Sequence, residues 1–347
     1  MSATTSPRRI NLALQGGGAH GAFTWGVLDR LLEDEAIEIA GVSGASAGAI
    51  NGAALKAGLV HGGRDGAREN LDWLWGRIGS LGRGPLGPWL ELLTPGLLSR
   101  ALESSPPYAA LEASAGVFSP YDSGPFYTNP LAAIVERLRF AEVCASEGPP
   151  LHVCATNVRS GKIRVFSGDE ITVDALLASA CLPTLFRAVE IEDPATGRLE
   201  AYWDGGYTGN PALFPLFASA LPPDIVVVNI NPLHREEVPR TVRQIHNRIN
   251  EIGFNTSLLR ELRAIDFVQR LLDAGTVAEG TMKRVHVHMI ADDALMNQLS
   301  VATKLVPLPS VIATLKEAGR TAAERFLVEN GERIGRESSI DLGGMFG

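Results

Sequence analysis

Several features that commonly announce a function are scarce in this sequence. Cysteine occurs three times in 347 residues, as Cys144, Cys154 and Cys181. The three form no CxxC pair and have no His at metal-ligand spacing, which argues against a disulfide scaffold or a zinc centre. They read as reduced structural thiols of a reducing compartment. Positive charge is in deficit, with 31 Lys+Arg against 39 Asp+Glu and a net charge of −8. Neutralising phosphates needs a basic surface, so no nucleic-acid partner is expected. No window approaches the ~18 consecutive apolar residues of a membrane-spanning helix. Arg8 and Arg9 are followed by too short an apolar stretch for a secretory leader. No internal repeat and no linker divides the chain. The expectation is a cytoplasmic protein, with peripheral contact to a membrane left open.

What is present is an ordinary globular composition, 45% hydrophobic and 20% charged. Residues 10–14 form a short apolar strand, followed by a glycine-rich loop. Thr24, Val27, Leu28 and Leu31 then recur at helical spacing, so one face of that helix is buried. Residues 37–42 are a second apolar run, and the small residues 47–57 read as a helix ending near Gly58. Strands alternating with helices predict an α/β fold with a mostly parallel sheet and helices on both faces.

From 62 to 130 glycine, proline and tryptophan become dense, and only short helices are expected, over 69–78 and 97–103. This stretch reads as a helical insertion and a candidate lid. A helix is expected over 129–140. Strands follow at 151–156 and 162–166, and a helix of small residues at 173–181. A hairpin, 187–192 with 199–203, leads directly into Asp204-Gly205-Gly206. Residues 224–230 are almost wholly apolar, the signature of a central strand buried on both faces. Helix is expected over 240–279, a strand over 285–290 and a helix over 310–328. The expected division is a catalytic domain over 8–290, and a C-terminal helix with a loosely ordered tail over 291–347.

Two constellations carry chemistry. Gly44-Ala45-Ser46-Ala47-Gly48 is a G-x-S-x-G pentapeptide between a strand and a helix. A sharp turn there strains the central Ser and lifts its hydroxyl clear of the sheet. The helix N-terminus adds free N–H groups and partial positive charge. Gly16-Gly17-Gly18-Ala19-His20-Gly21 satisfies G-x-G-x-x-G and so raises a dinucleotide site. Glu38 has about the right distance for a ribose ligand, but it opens the second strand, and that strand ends in the Ser turn. The same loop can instead present the N–H groups of Gly17 and Gly18 to an oxyanion. Loops after adjacent parallel strands emerge at one edge of a sheet, which would bring it to Ser46.

A Ser nucleophile needs a base. Seven His are available: His20, His61, His152, His234, His246, His286 and His288. His234, at a strand end, is the best triad candidate among them, while His286 and His288 alternate within a strand. The competing base is Asp204, which ends an apolar hairpin between Trp203 and Tyr207. Partial desolvation there would raise its proton affinity.

In this order, Gly16–Gly21, Gly44–Gly48 and Asp204–Gly206 resemble the motifs of the patatin-like phospholipase family. The resemblance extends to Ala47–Asn51, to Ala178–Pro183 and Phe186, and to Tyr202–Tyr207 with Asn210-Pro211, and it covers roughly residues 8–232. It implies a three-layer α/β/α fold that hydrolyses acyl esters of lipids by a Ser–Asp dyad, without catalytic His, metal or cofactor. Carried over, Ser46 is the nucleophile and Asp204 its base. Gly16, Gly17 and Gly18 form the oxyanion loop, and His20, Gly21, Gly44, Gly48, Gly205 and Gly206 support the motifs. The implied substrate is a phospholipid or related acyl ester. One departure is His20, where many members carry Arg or Lys: either a group titrating near neutrality or a packing residue. Two other classes stay open, a non-catalytic or ligand-activated effector and a dinucleotide-binding oxidoreductase.

Overall fold

A computed structural model describes residues 6–82, 94–106, 119–278 and 280–346. Its centre is an eight-stranded sheet of β1 (Arg8–Leu14), β2 (Ile37–Ala45), β3 (Leu151–Asn157), β4 (Ile163–Ser167), β5 (Val189–Asp193), β6 (Arg198–Asp204), β7 (Asp224–Asn229) and β8 (His286–Ala291). The order is β5-β6-β3-β2-β1-β7-β8, with β4 paired to β3. The core β3-β2-β1-β7-β8 is parallel. The β4, β5 and β6 pairings at the other end are antiparallel.

The helices that form the layers and flank the site are α1 (Gly21–Glu33), α2 (Ala47–Ser80), α3 (Pro95–Glu103), α4 (Val173–Ser179), α5 (Val242–Asp273), α6 (Val301–Leu305) and α7 (Pro309–Asn330). Strand alternation divides the core into two faces. Leu12, Leu14, Val226 and Val228 face one cluster with Phe23, Leu28, Trp75, Leu315 and Phe326 of α1, α2 and α7. Ala13, Ile225 and Val227 face the other, with Leu258, Leu262 and Ile265 of α5. The fold is therefore three-layered, α/β/α, as the alternation of strands and helices implies.

Three expectations, on the lid, on residues 129–140 and on the tail, are corrected. The helix after Ser46 ends about one turn past the expected Gly58, at the kink of Gly62 and Gly63, which have non-helical backbone angles; the rest of α2 is a second helix that runs to Ser80. The second half folds back on the first: Asn70 Nδ2 donates to the Ala54 carbonyl at 2.7 Å, and Trp75 Nε1 to Asn51 Oδ1 at 2.9 Å. Ala67, Leu71, Leu74 and Trp75 are buried in the main core, so residues 64–80 of the expected lid are a structural hairpin. The rest of that expected lid lies partly in 83–93 and 107–118, outside the described residues. The helix expected over 129–140 is two short turns, Ala132–Val135 and Phe140–Val143.

The tail expected to be loose is packed. Arg8 donates to the Gly331 carbonyl and pairs with Glu332, each at 2.7 Å. Gly335 N–H donates to Asp224 Oδ1 at 2.8 Å, and Ser339 N–H to the Val287 carbonyl at 3.1 Å. Ile334 and Leu342 are buried. These are contacts made across the sheet, which no local pattern in 331–347 announces.

Helix α7 crosses α1 at backbone contact. A Cβ on Gly319 would lie 2.1 Å from the Phe23 carbonyl oxygen, and one on Gly26 1.9 Å from that of Lys316. Both side chains must be absent for the helices to meet. Gly319→Val should therefore destabilise the protein by about 1–3 kcal/mol, the usual range for overpacking. A thermal midpoint equal to that of the parent would show that α7 does not dock in this way.

Candidate active site

Strand register assembles the site. Leu14 lies opposite Gly44 across β1–β2, Ala45 opposite Cys154 across β2–β3, and Ala155 opposite Asp204 across β3–β6. The ends of β1, β2 and β6 thus share one row, although β6 runs antiparallel to the other two. The residues that follow, Gln15–Gly18, Ser46 and Gly205–Gly206, emerge together.

Ser46 has φ 53° and ψ −126°, the one non-glycine positive φ among the described residues. A non-glycine residue held there costs of order 1–3 kcal/mol and persists only when its surroundings enforce it. Here they do. Ser46 N–H donates to Ser179 Oγ at 2.9 Å, and Ser179 Oγ donates to the Cys154 carbonyl at 2.6 Å. Ile50 N–H donates to the Ser46 carbonyl at 3.1 Å, which starts α2. A Cβ on Gly48 would stand 2.1 Å from the Leu14 carbonyl oxygen. Only glycine lets the helix start this close to β1. Ser46 is 6% exposed.

The glycine loop meets Ser46 directly: a Cβ on Gly16 would lie 2.5 Å from Ser46 Cβ. Gly16 is not a free donor, which corrects its expected place in the oxyanion hole. Its N–H donates to Asn210 Oδ1 at 2.7 Å, and its carbonyl accepts from Asn231 Nδ2 at 2.8 Å. The N–H groups of Gly17 and Gly18, by contrast, find no acceptor among the described residues. Two donors of this loop stay open.

Asp204 is fully buried. Its Oδ1 accepts the Gly206 N–H at 2.8 Å, while Oδ2 is buried without a hydrogen-bond partner. Burial pushes the carboxyl pKa up to about 7, against the opposing pull of the Gly206 N–H and then of the Ser46 hydroxyl. The Ser46 hydroxyl is near enough to weigh on the carboxyl, but no hydrogen bond joins the two. Cys154 and Cys181, next to this site, are pushed up to about 11 and about 12 by burial and remain thiols.

The histidines His20, His234, His286 and His288 have other neighbours. His234 lies at the surface, 3.8 Å from Glu236. His288 and His286 face Asp224 at 3.0 and 3.5 Å. His20 is buried, with Nε2 2.8 Å from Thr303 Oγ1. Burial, and then the nearby Lys304, hold its pKa well below the usual value, so it is a neutral packing residue of the loop. The positive charge in this region belongs to Lys304 of α6, whose Nζ donates to Asn231 Oδ1 at 2.8 Å. Desolvation brings its pKa down to about 8. Glu38 pairs with Arg9 at 2.9 Å near the start of β2, at the far end of that strand from the glycine loop.

Five residues in this architecture were not singled out as site members from sequence: Gln15, Ser179, Asn210, Asn231 and Lys304. Gln15 Oε1 accepts the Ile230 and Asn231 N–H groups at 2.9 and 3.0 Å. Asn231 follows the buried strand β7, beside β1, so its place at this edge could have been read from the parallel order. Lys304 carries no such signal.

Because Asp204 binds its proton more tightly in the folded chain than in the unfolded one, its protonation supports the fold. That contribution is complete below the unfolded pKa of about 4 and is lost as pH rises through about 7. Asp204→Asn removes the titration. It should make the protein more stable than the parent at pH 8, by on the order of 2–4 kcal/mol, and nearly equal to it at pH 4. A pH-independent difference in melting would contradict a buried, raised carboxyl.

A family model described as patatin-like phospholipase matches residues 12–217, more than half of the chain. No curated protein matches. Among solved structures, VipD from Legionella pneumophila is similar at 18% identity and a TM-score of 0.43, over 93% of this chain and 67% of its own. The ExoU–SpcU heterodimer from the type III secretion system of Pseudomonas aeruginosa is similar at 16% identity and a TM-score of 0.33, over 95% of this chain and 52% of that one. The chain therefore spans about two thirds of the first and about half of the second.

Proposed function

The chain belongs to the patatin-like phospholipase family, and on that premise we propose that it hydrolyses carboxylic esters of lipids through a Ser46–Asp204 dyad. The observation that carries this reading is the pairing of a strained Ser46 with a desolvated carboxylate that has one oxygen free.

Asp204, ionised, takes the Ser46 proton on Oδ2 as Ser46 Oγ bonds to the ester carbonyl carbon. The carbonyl oxygen becomes an oxyanion and accepts the N–H groups of Gly17 and Gly18. Preorganised donors in a site shielded from water contribute most where charge develops. The N-terminus of α2 adds its partial positive charge at Ser46. The tetrahedral intermediate collapses and breaks the bond to the alcohol oxygen, which leaves with the proton held by Asp204. Water then attacks the acyl-enzyme, giving its proton to Asp204. A second collapse releases the fatty acid and returns the proton to Ser46.

A carboxylate of ordinary pKa is a weak base for a hydroxyl. Burial raises that of Asp204 to about 7, which brings its basicity close to that of an imidazole. The fixed N–H from Gly206 keeps Oδ1 occupied and leaves Oδ2 for the proton. Ser179 and Asn210 hold the Ser and the loop without touching the ester in this scheme.

The test is turnover of p-nitrophenyl esters and of phospholipids. Ser46→Ala and Asp204→Asn should each lower kcat by at least about 10³-fold, the scale seen when members of such a catalytic unit are removed. His234→Ala should leave it unchanged. In the parent, kcat should rise with pH through a midpoint near 7, as the base form of Asp204 appears. Near-parental activity in both dyad variants, or loss of activity only in His234→Ala, would replace the dyad with another base.

A further inference from the structure

The two faces of α5 differ in kind. Its inner face is fastened to the site. Phe254 packs against Tyr207 at 5.0 Å between ring centres and covers Gly206. Asn255 Oδ1 accepts from Gln15 Nε2 at 3.1 Å, and Ser257 Oγ accepts the Asn210 N–H at 3.1 Å. Leu258 and Leu262 lie in the core below the sheet.

The outer face of the first three turns is apolar. Val242, Ile245, Ile249 and Ile252 are 71%, 41%, 59% and 52% exposed. Their spacing of three, four and three places them in one stripe along the helix. A surface helix ordinarily turns such a stripe inward. Here the inward position is taken by Leu258, Leu262 and the polar contacts to the site, and the aliphatics face water.

The outer face continues with Arg260 and Arg263, both exposed, the Arg263 guanidinium lying 5.4 Å from the centre of the Phe346 ring. The carboxylates of the same helix up to residue 272 are turned away. Glu251 holds Arg235 and Arg248, Glu261 accepts the Leu213 and Phe214 N–H groups, and Asp266 pairs with Arg270. A protein of net charge −8 thus presents a cationic, apolar strip on this helix. A surface of anionic headgroups over acyl chains complements both halves of it.

We propose that the outer face of α5 docks on an anionic phospholipid membrane, with the four aliphatics entering the headgroup boundary and Arg260 and Arg263 facing lipid phosphates. This rests on the lipid-hydrolase reading for its purpose, but not for its test. The docked helix then lies between the lipid surface and the Asp204 turn and glycine loop, which it contacts through Phe254, Asn255 and Ser257.

The test uses the full chain carrying Ser46→Ala, so that vesicles stay intact, in co-sedimentation with phosphatidylcholine vesicles and with vesicles containing added phosphatidylglycerol. Binding should be tighter to the anionic vesicles and weaken with salt. Adding Ile245→Asp with Ile249→Asp should reduce partitioning by about tenfold or more. Adding Arg260→Gln with Arg263→Gln should remove most of the preference for anionic vesicles, about tenfold. With Ser46 intact, both pairs should hydrolyse a soluble short-chain ester at the parental rate. Vesicle binding equal to the parent's in both pairs, or no vesicle binding by the parent, overturns the proposal. So does a parent dimer that either pair converts to monomer, which assigns the face to a second copy. Failure of the hydrolase reading appears separately, as absent turnover of the soluble ester.

Discussion

Gly16 is gripped from both sides by asparagine. Asn210 Oδ1 takes its N–H at 2.7 Å, and Asn231 Nδ2 gives to its carbonyl at 2.8 Å. The rest of the site depends on this clamp. With Gly16 committed against Ser46, the next two peptide groups keep their N–H groups open. The clamp also joins three separate parts of the chain: the loop after β1, the loop after β6 and the loop after β7. Gln15 extends it by accepting from Ile230 and Asn231. Buried amide groups that satisfy one another in this way give a rigid frame, and each partner lost would leave a desolvated polar atom behind.

The frame encloses a deliberate exception to the same rule. Asp204 Oδ2 is buried and lacks a hydrogen-bond partner. An unpaired buried carboxyl destabilises the charged form and so raises proton affinity. Proposed catalysis and stability pull in opposite directions at this atom. The ionised carboxylate that would take the Ser46 proton is the form least welcome in the fold. The strained backbone of Ser46 is a second concentration of unfavourable energy, held in place by Ser179 and by the start of α2. Local cost at both residues is offset by the extensive core on either side of the sheet.

Helix α5 ties this frame to the surface. Its Phe254, Asn255 and Ser257 reach three different pieces of the site, while its opposite face is the apolar and cationic strip. A rigid helix 32 residues long transmits position along its whole length. Contact at the outer face and order at the inner face are therefore one mechanical problem. The polar network of the inner face also explains why the helix cannot simply rotate its aliphatics inward.

Much of this was legible in the amino-acid sequence. Ser46 stands out because G-x-S-x-G between an apolar run and a small-residue helix encodes a turn locally. Asp204 stands out because a hairpin ends in it, and the buried strand 224–230 because it is apolar throughout. Short-range pattern determines such features, since strand alternation, turn chemistry and helix starts are set by neighbours in the chain. Tertiary structure alone decided which residues face each other across long separations. It committed Gly16 to Asn210, made His20 a neutral packing residue against Thr303 and put the nearby charge on Lys304. It also folded residues 64–80 into the core and drew the tail onto β8. The physical reason is the same in each case. Burial, desolvation and hydrogen-bond partnership are properties of the packed neighbourhood, and residues 194 and 283 positions apart leave no mark on each other's sequence.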